Sequence, residues 1–435
     1  MKRICVIGMG YVGLTLAVTL ADVGFKVNGV EINEKTARRL QAGKPHFHEP
    51  ELEFLLNQHL GGNLSVTQAV EKDGETDTYI IAVATPVDKE KKPVMDYVRR
   101  ATEDVAGRLK AGDLVILRST VPVGTTNGIV RQIILEKTGL VAGKDVHLVF
   151  APERTIEGKA LEELRYLPQI IGGTGEEAVG LAANIFNRVT NTIVRVSSIE
   201  AAEIVKQLDN IYRDVNIALG NEIGLACEKL GLNAHEIIRA ANMNYKRNNL
   251  MVPGAGVGGA CLTKDPYIFL SQLPHAHPNS IILNSRKINE SMPLHVLSLA
   301  KEALSANGVD IKGARVAVLG IAFKGRPETS DVRFSPTEDL VMQLKGLGAD
   351  VVGMDHVAKP EEFAGIARPV GTYNEAFDGA DCIIIMNNHP RWKEIDLRKY
   401  AGAMKKKVAV VDGWNMLNPA AVKSLGFVYR GVGVE

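Results

Sequence analysis

The chain carries one cysteine in a setting built for thiol chemistry. Cys261 lies in Pro253-Gly254-Ala255-Gly256-Val257-Gly258-Gly259-Ala260-Cys261-Leu262-Thr263-Lys264-Asp265-Pro266. Asp265 followed by Pro266 predicts the N-cap and first residue of a helix, so Cys261 stands just before a helix N-terminus. The positive potential there, with Lys264 nearby, favours the thiolate. The glycines allow the backbone to wrap a ligand closely or to take positive φ. A free cysteine is ordinarily a buried structural residue. That reading is kept for Cys5 and Cys382, inside predicted strands, and for Cys227, on a long predicted helix. Glu203, Lys206 and Asn210 share one face of that helix. A solvated polar face is the ordinary reading, and it is retained for Glu203. Lys206 and Asn210 gain meaning only beside a reactive centre, where an ammonium and an amide stabilise a developing oxyanion.

A second pattern opens the chain. A β-branched run ends in Gly8-Met9-Gly10-Tyr11-Val12-Gly13 and passes at once into an apolar helix. Such glycines permit a tight turn, close approach to a pyrophosphate and tight helix–strand packing, while the helix N-terminus offers N–H donors. A turn serving packing alone is the alternative, but the position between strand and helix favours dinucleotide binding. The next strand ends in Val30-Glu31. An acid there accepts from a ribose diol and repels a 2′-phosphate, favouring NAD over NADP, unless it is merely a surface acid. Thr85-Pro86 and Ser119-Thr120-Val121-Pro122 each follow a predicted strand. They border the nicotinamide side if the sheet is parallel, and are otherwise ordinary turns.

The elements that must position these groups fall into three zones. Predicted strands Arg3–Ile7, Lys26–Val30, Thr78–Ala82, Leu114–Leu117, His147–Phe150 and Thr192–Val196 alternate with amphipathic stretches, the pattern of a parallel sheet covered by helices. A helix over Ile199 to Leu230 follows, with a capping box of Ser197 and Glu200 at its start and Gly231 as its stop. Its length suits bridging two lobes or pairing with another subunit. Strands return at Arg315–Leu319, Ala349–Met354, Cys382–Met386 and Lys407–Val411. The expected architecture is α/β: two Rossmann-like doubly wound parallel-sheet domains, 1–196 and 312–435, joined by a helical centre, 197–311, that carries the cysteine.

At 435 residues the chain exceeds one hydrophobic core. A formal net charge of +1, with no basic stripe, argues against nucleic acid or a membrane surface as partner. Four scattered cysteines without a CxxC pair argue against a disulfide framework or a zinc site, and no metal is expected. With no leader pattern after Met-Lys-Arg and no long apolar run, a cytoplasmic setting is expected.

Taken together, these segments resemble the UDP-glucose/GDP-mannose dehydrogenase family, the four-electron nucleotide-sugar 6-dehydrogenases. The resemblance rests on Gly8–Gly13, Ala84–Pro86, Ser119–Thr126, Ala151–Arg154, Ala202–Asn210, Pro253–Pro266 and Gly320–Pro336, in that order over essentially the whole chain. It implies an N-terminal NAD domain, a helical dimer core and a C-terminal domain for the nucleotide sugar. It assigns Gly8, Gly10, Tyr11, Val12, Gly13, Glu31, Thr85, Pro86, Ser119, Thr120 and Arg333 to the cofactor. Cys261 is implied as nucleophile toward an aldehyde, Lys206 and Asn210 as oxyanion donors, and Asp265, Thr120 and Glu153 as organisers of water and protons. Glu153, Arg154, Lys206, Asn210, Arg247, Gly258, Phe323 and Lys324 are implied for substrate, Arg247 from a neighbouring subunit. Pro152–Arg154, Gly158, Gln169–Gly173 and Tyr429–Gly433 are similar to the branch acting on UDP-N-acetylhexosamines. UDP-glucose or GDP-mannose as substrate, a non-catalytic nucleotide-sugar binder and a two-electron dehydrogenase are the competing expectations.

Overall fold

The computed structural model describes residues 3–72, 74–273 and 279–434. By Cα packing the chain divides into two compact units, Met1–Asp209 with Tyr267–Ala276, and Asn210–Pro266 with His277–Glu435. Each unit is built on one sheet, and the residues of the helical centre are shared between them.

In the first unit the described strands are β1 Arg3–Ile7, β2 Lys26–Val30, β3 Leu64–Thr67, β4 Thr76–Ile81, β5 Leu114–Leu117, β6 His147–Phe150, β7 Gln169–Gly173 and β8 Ile193–Arg195. They run in the order β3-β2-β1-β4-β5-β6-β7-β8. β1 has β2 on one side and β4 on the other, both parallel, so the strand order reverses at the carboxyl end of β1. Apolar side chains fill both faces: Ile4, Val6, Leu16 and Leu20 pack on one side, and Cys5, Ile7, Ile81 and Leu117 on the other. Burial on both faces explains the near-continuous apolar strands. β7 was not expected as a strand, and it pairs antiparallel with β6. β3 was also missed, since Leu64-Ser65-Val66-Thr67 is too short to show a period.

In the second unit β9 Arg315–Leu319, β10 Asp350–Met354, β11 Arg368–Pro369, β12 Cys382–Ile385, β13 Ala409–Asp412 and β14 Val428–Gly431 form a parallel sheet ordered β11-β10-β9-β12-β13-β14. The reversal now lies beside β9. The short edge strands β11 and β14 carry too few residues to be read from pattern alone.

The long helix spans Ile199–Leu230, as its periodicity predicts. Its start is corrected by one residue: Ser198, not Ser197, supplies the cap, its Oγ accepting from Ala201 N at 3.1 Å. Over its second-unit part the helix packs on helix Ile281–Ala306 through a buried polar set. Arg286 donates to Asp214 at 2.6 Å, and Asn289 donates to the same carboxylate at 2.8 Å. Asn221 donates to Asn289 at 2.9 Å and accepts from Gly254 N at 2.9 Å. Burial raises the Asp214 pKa, and Arg286 and Asn289 only partly offset it. The glycine-rich strap follows notches in the helix: a Cβ on Gly220 would stand 2.2 Å from Met251 O, and one on Gly224 2.7 Å from Pro253 Cβ. The strap is therefore placed by the helix before any ligand is considered.

Removing one member of the buried pair leaves the other charge stranded. Arg286→Met should cost about 3–5 kcal/mol in denaturant unfolding, and Asp214→Leu with Arg286→Met should cost distinctly less. Equal losses for the single and double variants would contradict this account.

Candidate active site

Gly8 and Gly13 of the opening turn meet steric demands that Gly10 does not. Gly8 adopts φ 92°, and a Cβ there would stand 2.9 Å from Ala82 O. A Cβ on Gly13 would stand 1.8 Å from Gly8 O, so helix Tyr11–Asp22 reaches the strand only because this residue lacks one. A Cβ on Gly10 would meet nothing within 4 Å. Gly10 is also the N-cap and offers no side-chain bond, so no cap takes the first N–H groups of the helix, from Tyr11 and Val12 onward, beside the open space at Gly10. That space fits a pyrophosphate. Glu31, after β2, accepts from Asn33 N at 2.8 Å through Oε1. At the end of β5 buried Ser119 donates to Val83 O at 2.7 Å, beside buried Thr85 and half-buried Pro86. The residues present fit NAD.

Tyr11 is engaged by a residue the sequence reading did not single out. Its hydroxyl donates to buried Glu49, which also accepts from Gly158 N at 2.7 Å and Ala160 N at 2.7 Å. Burial first, then the Glu49 bond, pushes the Tyr11 phenol far above its usual pKa.

The loop that carries Thr120 is pinned to the first turns of the long helix. Glu203 accepts from Gly124 N at 2.5 Å, Thr126 N at 2.9 Å and Thr126 Oγ1 at 2.6 Å, and Gln207 donates to Val121 O at 2.6 Å. Glu203 is 1 % exposed, which corrects its reading as a solvated polar residue. Burial raises its pKa against the opposing effect of these donors. The i, i+3 spacing to Lys206 marked the shared face, but pattern could not tell a loop-bound face from a wet one.

Beyond β6, Glu153 accepts from Thr155 N and lies 3.9 Å from Lys206 Nζ, both side chains 9 % exposed. Arg154 donates to Asp209 at 2.7 Å. This loop is held from beneath by Arg118, which donates to Ala151 O at 2.9 Å, Pro152 O at 3.2 Å and Gln169 Oε1 at 2.9 Å. Burial pulls the Arg118 pKa down to about 10, and the charge of Glu153 opposes that shift. Arg118 immediately precedes Ser119, yet no motif flagged it.

In the second unit the cysteine segment closes on a fully buried carboxylate. Asp265 accepts from Asn210 Nδ2 at 2.5 Å and from Lys264 Nζ at 2.6 Å. Asp265 is the first residue of helix Asp265–Leu270, and its side chain serves these donors instead of capping the helix as expected. Burial would lower the Lys264 pKa, but Asp265 and then Cys261 outweigh it and leave the ammonium raised. The carbonyl of Cys261 accepts from Asp265 N at 2.9 Å and Lys264 N at 3.1 Å. Cys261 is exposed and outside any disulfide, whereas Cys5, Cys227 and Cys382 are buried. Burial pushes the Cys382 thiol far above its usual pKa, as for an inert core residue.

The strap glycines pack against protein where the sequence suggested ligand wrapping. A Cβ on Gly254 would stand 2.6 Å from the Trp414 ring, one on Gly258 2.6 Å from Phe334 O, and one on Gly259 2.7 Å from the Phe323 ring. Lys324 Nζ lies 5.4 Å from the centre of that Phe323 ring. Arg247 is exposed and stacks on Tyr245, and exposed Arg333 forks onto Asp331 at 2.6–3.0 Å. Neither arginine joins the Asp265 cluster. Among the described residues no group of three or more His, Cys, Asp or Glu could hold a metal ion, and no helix is long and apolar enough to cross a membrane.

The opening turn yields a paired expectation. Gly10→Ala should change stability by roughly 0.5 kcal/mol or less. It should nevertheless weaken NAD binding about tenfold or more, because the methyl enters the open space. Gly13→Ala should cost at least about 1–3 kcal/mol in thermal unfolding. Unaltered NAD affinity in Gly10→Ala would remove this site.

Comparison with known proteins agrees with this geometry. A UDP-N-acetyl-D-mannosamine dehydrogenase of Pyrococcus horikoshii is 36 % identical over 99 % of both chains. The solved structure of a UDP-D-ManNAc dehydrogenase from that organism matches with TM-score 0.92 at 35 % identity, covering 99 % of each chain. A UDP-glucose dehydrogenase structure from Pyrobaculum islandicum matches with TM-score 0.86 at 29 % identity, over 100 % of this chain and 98 % of that one. Residues 2–190 match the NAD binding domain of the UDP-glucose/GDP-mannose dehydrogenase family, 200–291 its central domain and 317–419 its UDP binding domain. The chain belongs to the UDP-glucose/GDP-mannose dehydrogenase family, and it is an NAD-dependent nucleotide-sugar dehydrogenase.

Proposed function

We propose that this enzyme oxidises the C6 alcohol of a UDP-N-acetylhexosamine, UDP-N-acetylmannosamine first among them, to the uronic acid through Cys261. The observation that carries the reading is an exposed thiol three residues from a lysine that shares a fully buried carboxylate with Asn210. The choice of substrate is supported by the names of relatives at 31–36 % identity, each called a UDP-N-acetyl-D-mannosamine dehydrogenase.

NAD would be held at the Gly8–Gly13 turn and would supply the hydride acceptor for each of the two oxidations. In the first oxidation the C6 hydroxyl loses a proton to water organised by Asp265, Thr120 and Glu153, and an aldehyde forms. The Cys261 thiolate adds to the aldehyde carbon, and the resulting alkoxide is stabilised by Lys206 Nζ and Asn210 Nδ2 before it gains a proton. Loss of a second hydride and that proton gives a thioester on Cys261. Water activated by Glu153 attacks it, expelling the thiolate and leaving a carboxylate. Per sugar, two NAD and one water are consumed. Tethering through sulfur keeps the aldehyde from escaping.

Phe323, Lys324, Gly258 and Arg154 hold the nucleotide sugar, Arg247 reaches it from a neighbouring subunit, and Arg333 faces the cofactor. The domain limits 1–196, 197–311 and 312–435 follow the roles of these segments. Tyr212, Leu219 and Leu230, exposed at 56 %, 45 % and 69 %, form one apolar stripe on the long helix and support a homodimer through that face. Four cysteines outside any disulfide suit the cytoplasm.

The test is NADH counted over a panel of UDP- and GDP-sugars. We expect two NADH per UDP-N-acetylmannosamine, and Cys261→Ser should lose overall turnover by about 10³-fold or more while still releasing the first NADH. No NADH from any N-acetylated sugar would overturn the substrate, and unchanged turnover in Cys261→Ser would overturn the covalent route.

A further inference from the structure

The second sheet repeats the opening plan of the first and then finishes it differently. β1 runs into Gly8 and β9 into Gly320, each with φ 92°. β2 is followed by Glu31 and β10 by Asp355, so each sheet has an acid after the strand next to its glycine turn. In the first sheet the acid stays clear of the turn: Glu31 accepts from Asn33 N, and the space at Gly10 is open. In the second sheet the acid folds back over it. Asp355 Oδ2 accepts from Ile321 N at 2.7 Å and Ala322 N at 2.9 Å, while Oδ1 accepts from Val357 N at 2.8 Å and Ala358 N at 3.0 Å.

Ile321 and Ala322 follow Gly320 as Met9 and Gly10 follow Gly8, two residues before the positions of Tyr11 and Val12. In the second unit the protein's own carboxylate takes the N–H groups of Ile321 and Ala322. The strand on the far side of the reversal completes the closure. Asn387, after β12, donates to Ala322 O at 3.1 Å and accepts from Trp392 Nε1 at 2.7 Å, and a Cβ on Gly320 would stand 2.5 Å from its Cγ. Asn388 accepts from Gly325 N at 2.9 Å, and Phe323 N donates to Asp331 O at 3.0 Å. The short segment Ile321–Gly325 is thus fixed at four backbone N–H groups and one carbonyl, and it carries Phe323 and Lys324.

We propose that Asp355 is a positioning residue: with Asn388 it fixes Phe323 and Lys324 for the nucleotide sugar. The same bonds remove the freedom of the segment before substrate arrives, which lowers the ordering cost of binding. The inference rests on the reading that Phe323 and Lys324 contact the nucleotide sugar.

The experiment uses the full chain and titrates UDP calorimetrically, with KM measured for UDP-N-acetylmannosamine and for NAD, in the wild type, Asp355→Asn, Asn388→Ala and Lys324→Ala. Asp355→Asn and Asn388→Ala should each weaken UDP binding and raise the sugar KM by roughly tenfold, with the NAD KM unchanged and kcat within about threefold. Lys324→Ala should weaken UDP at least as much. Wild-type UDP affinity in both Asp355→Asn and Asn388→Ala, with a loss in Lys324→Ala, would overturn the positioning role and leave the substrate site standing. Wild-type affinity in Lys324→Ala would overturn the site reading itself, and the inference with it. A parallel rise in both KM values would mark general loosening of the fold and also overturns it.

Discussion

Asp265 is the constraint around which the cysteine segment is built. A carboxylate with no exposed surface needs strong donors, and it draws them from two directions. Asn210 comes from the long helix and Lys264 from the strap itself. The backbone N–H of the same residue donates to the Cys261 carbonyl. One buried charge therefore registers the strap on the helix and fixes the turn that exposes the thiol. Lys264 cannot be assigned wholly to Cys261, because its ammonium is held first by Asp265.

The long helix does comparable work at both ends. Glu203 and Gln207 clasp the loop bearing Thr120, and Asn216 and Asn221 clasp the strap that leads to Cys261, Asn216 by donating to Asn249 O at 2.5 Å. Lys206 and Asn210 lie between these anchor points on the same continuous helix. A catalytic constellation must be held by elements that do not move when substrate binds. Here one helix carries Lys206 and Asn210 and, within each unit, holds the neighbouring loop in place. The two sheets differ in what occupies their glycine turns. The first leaves its turn open, and the second fills its turn with Asp355.

The sequence was most legible where one physical cause dominated. Long apolar periodicity located the helix Ile199–Leu230 at both ends, and β-branched runs located β1, β2, β5, β6 and β9. The glycine turn at Gly8 was legible because backbone geometry alone demands glycine at positions 8 and 13. Asp265, Cys261, Lys264 and Asn210 were all marked by motif, but the bond from Asn210 to Asp265 was not, since the two lie 55 positions apart. Glu203 looked like a solvated residue because charge in a helix usually is, and only the tertiary approach of Gly124 and Thr126 buries it. Arg118, Glu49 and Asp355 left no local signal. Each acts by collecting backbone groups from distant segments, and such bonds have no period to read.

The central claim is that the carbon being oxidised is carried on Cys261, and the most direct measurement is the mass of the enzyme caught in turnover. Wild type and Glu153→Gln, in which the proposed loss of water activation would let the acyl group accumulate, would be mixed with NAD and UDP-N-acetylmannosamine, quenched in acid and weighed intact. The account predicts a chain heavier by the oxidised sugar nucleotide, with the added mass on Cys261 and released by hydroxylamine. NADH formation at two per sugar with no adduct in either protein, or an adduct on any other residue, would contradict it.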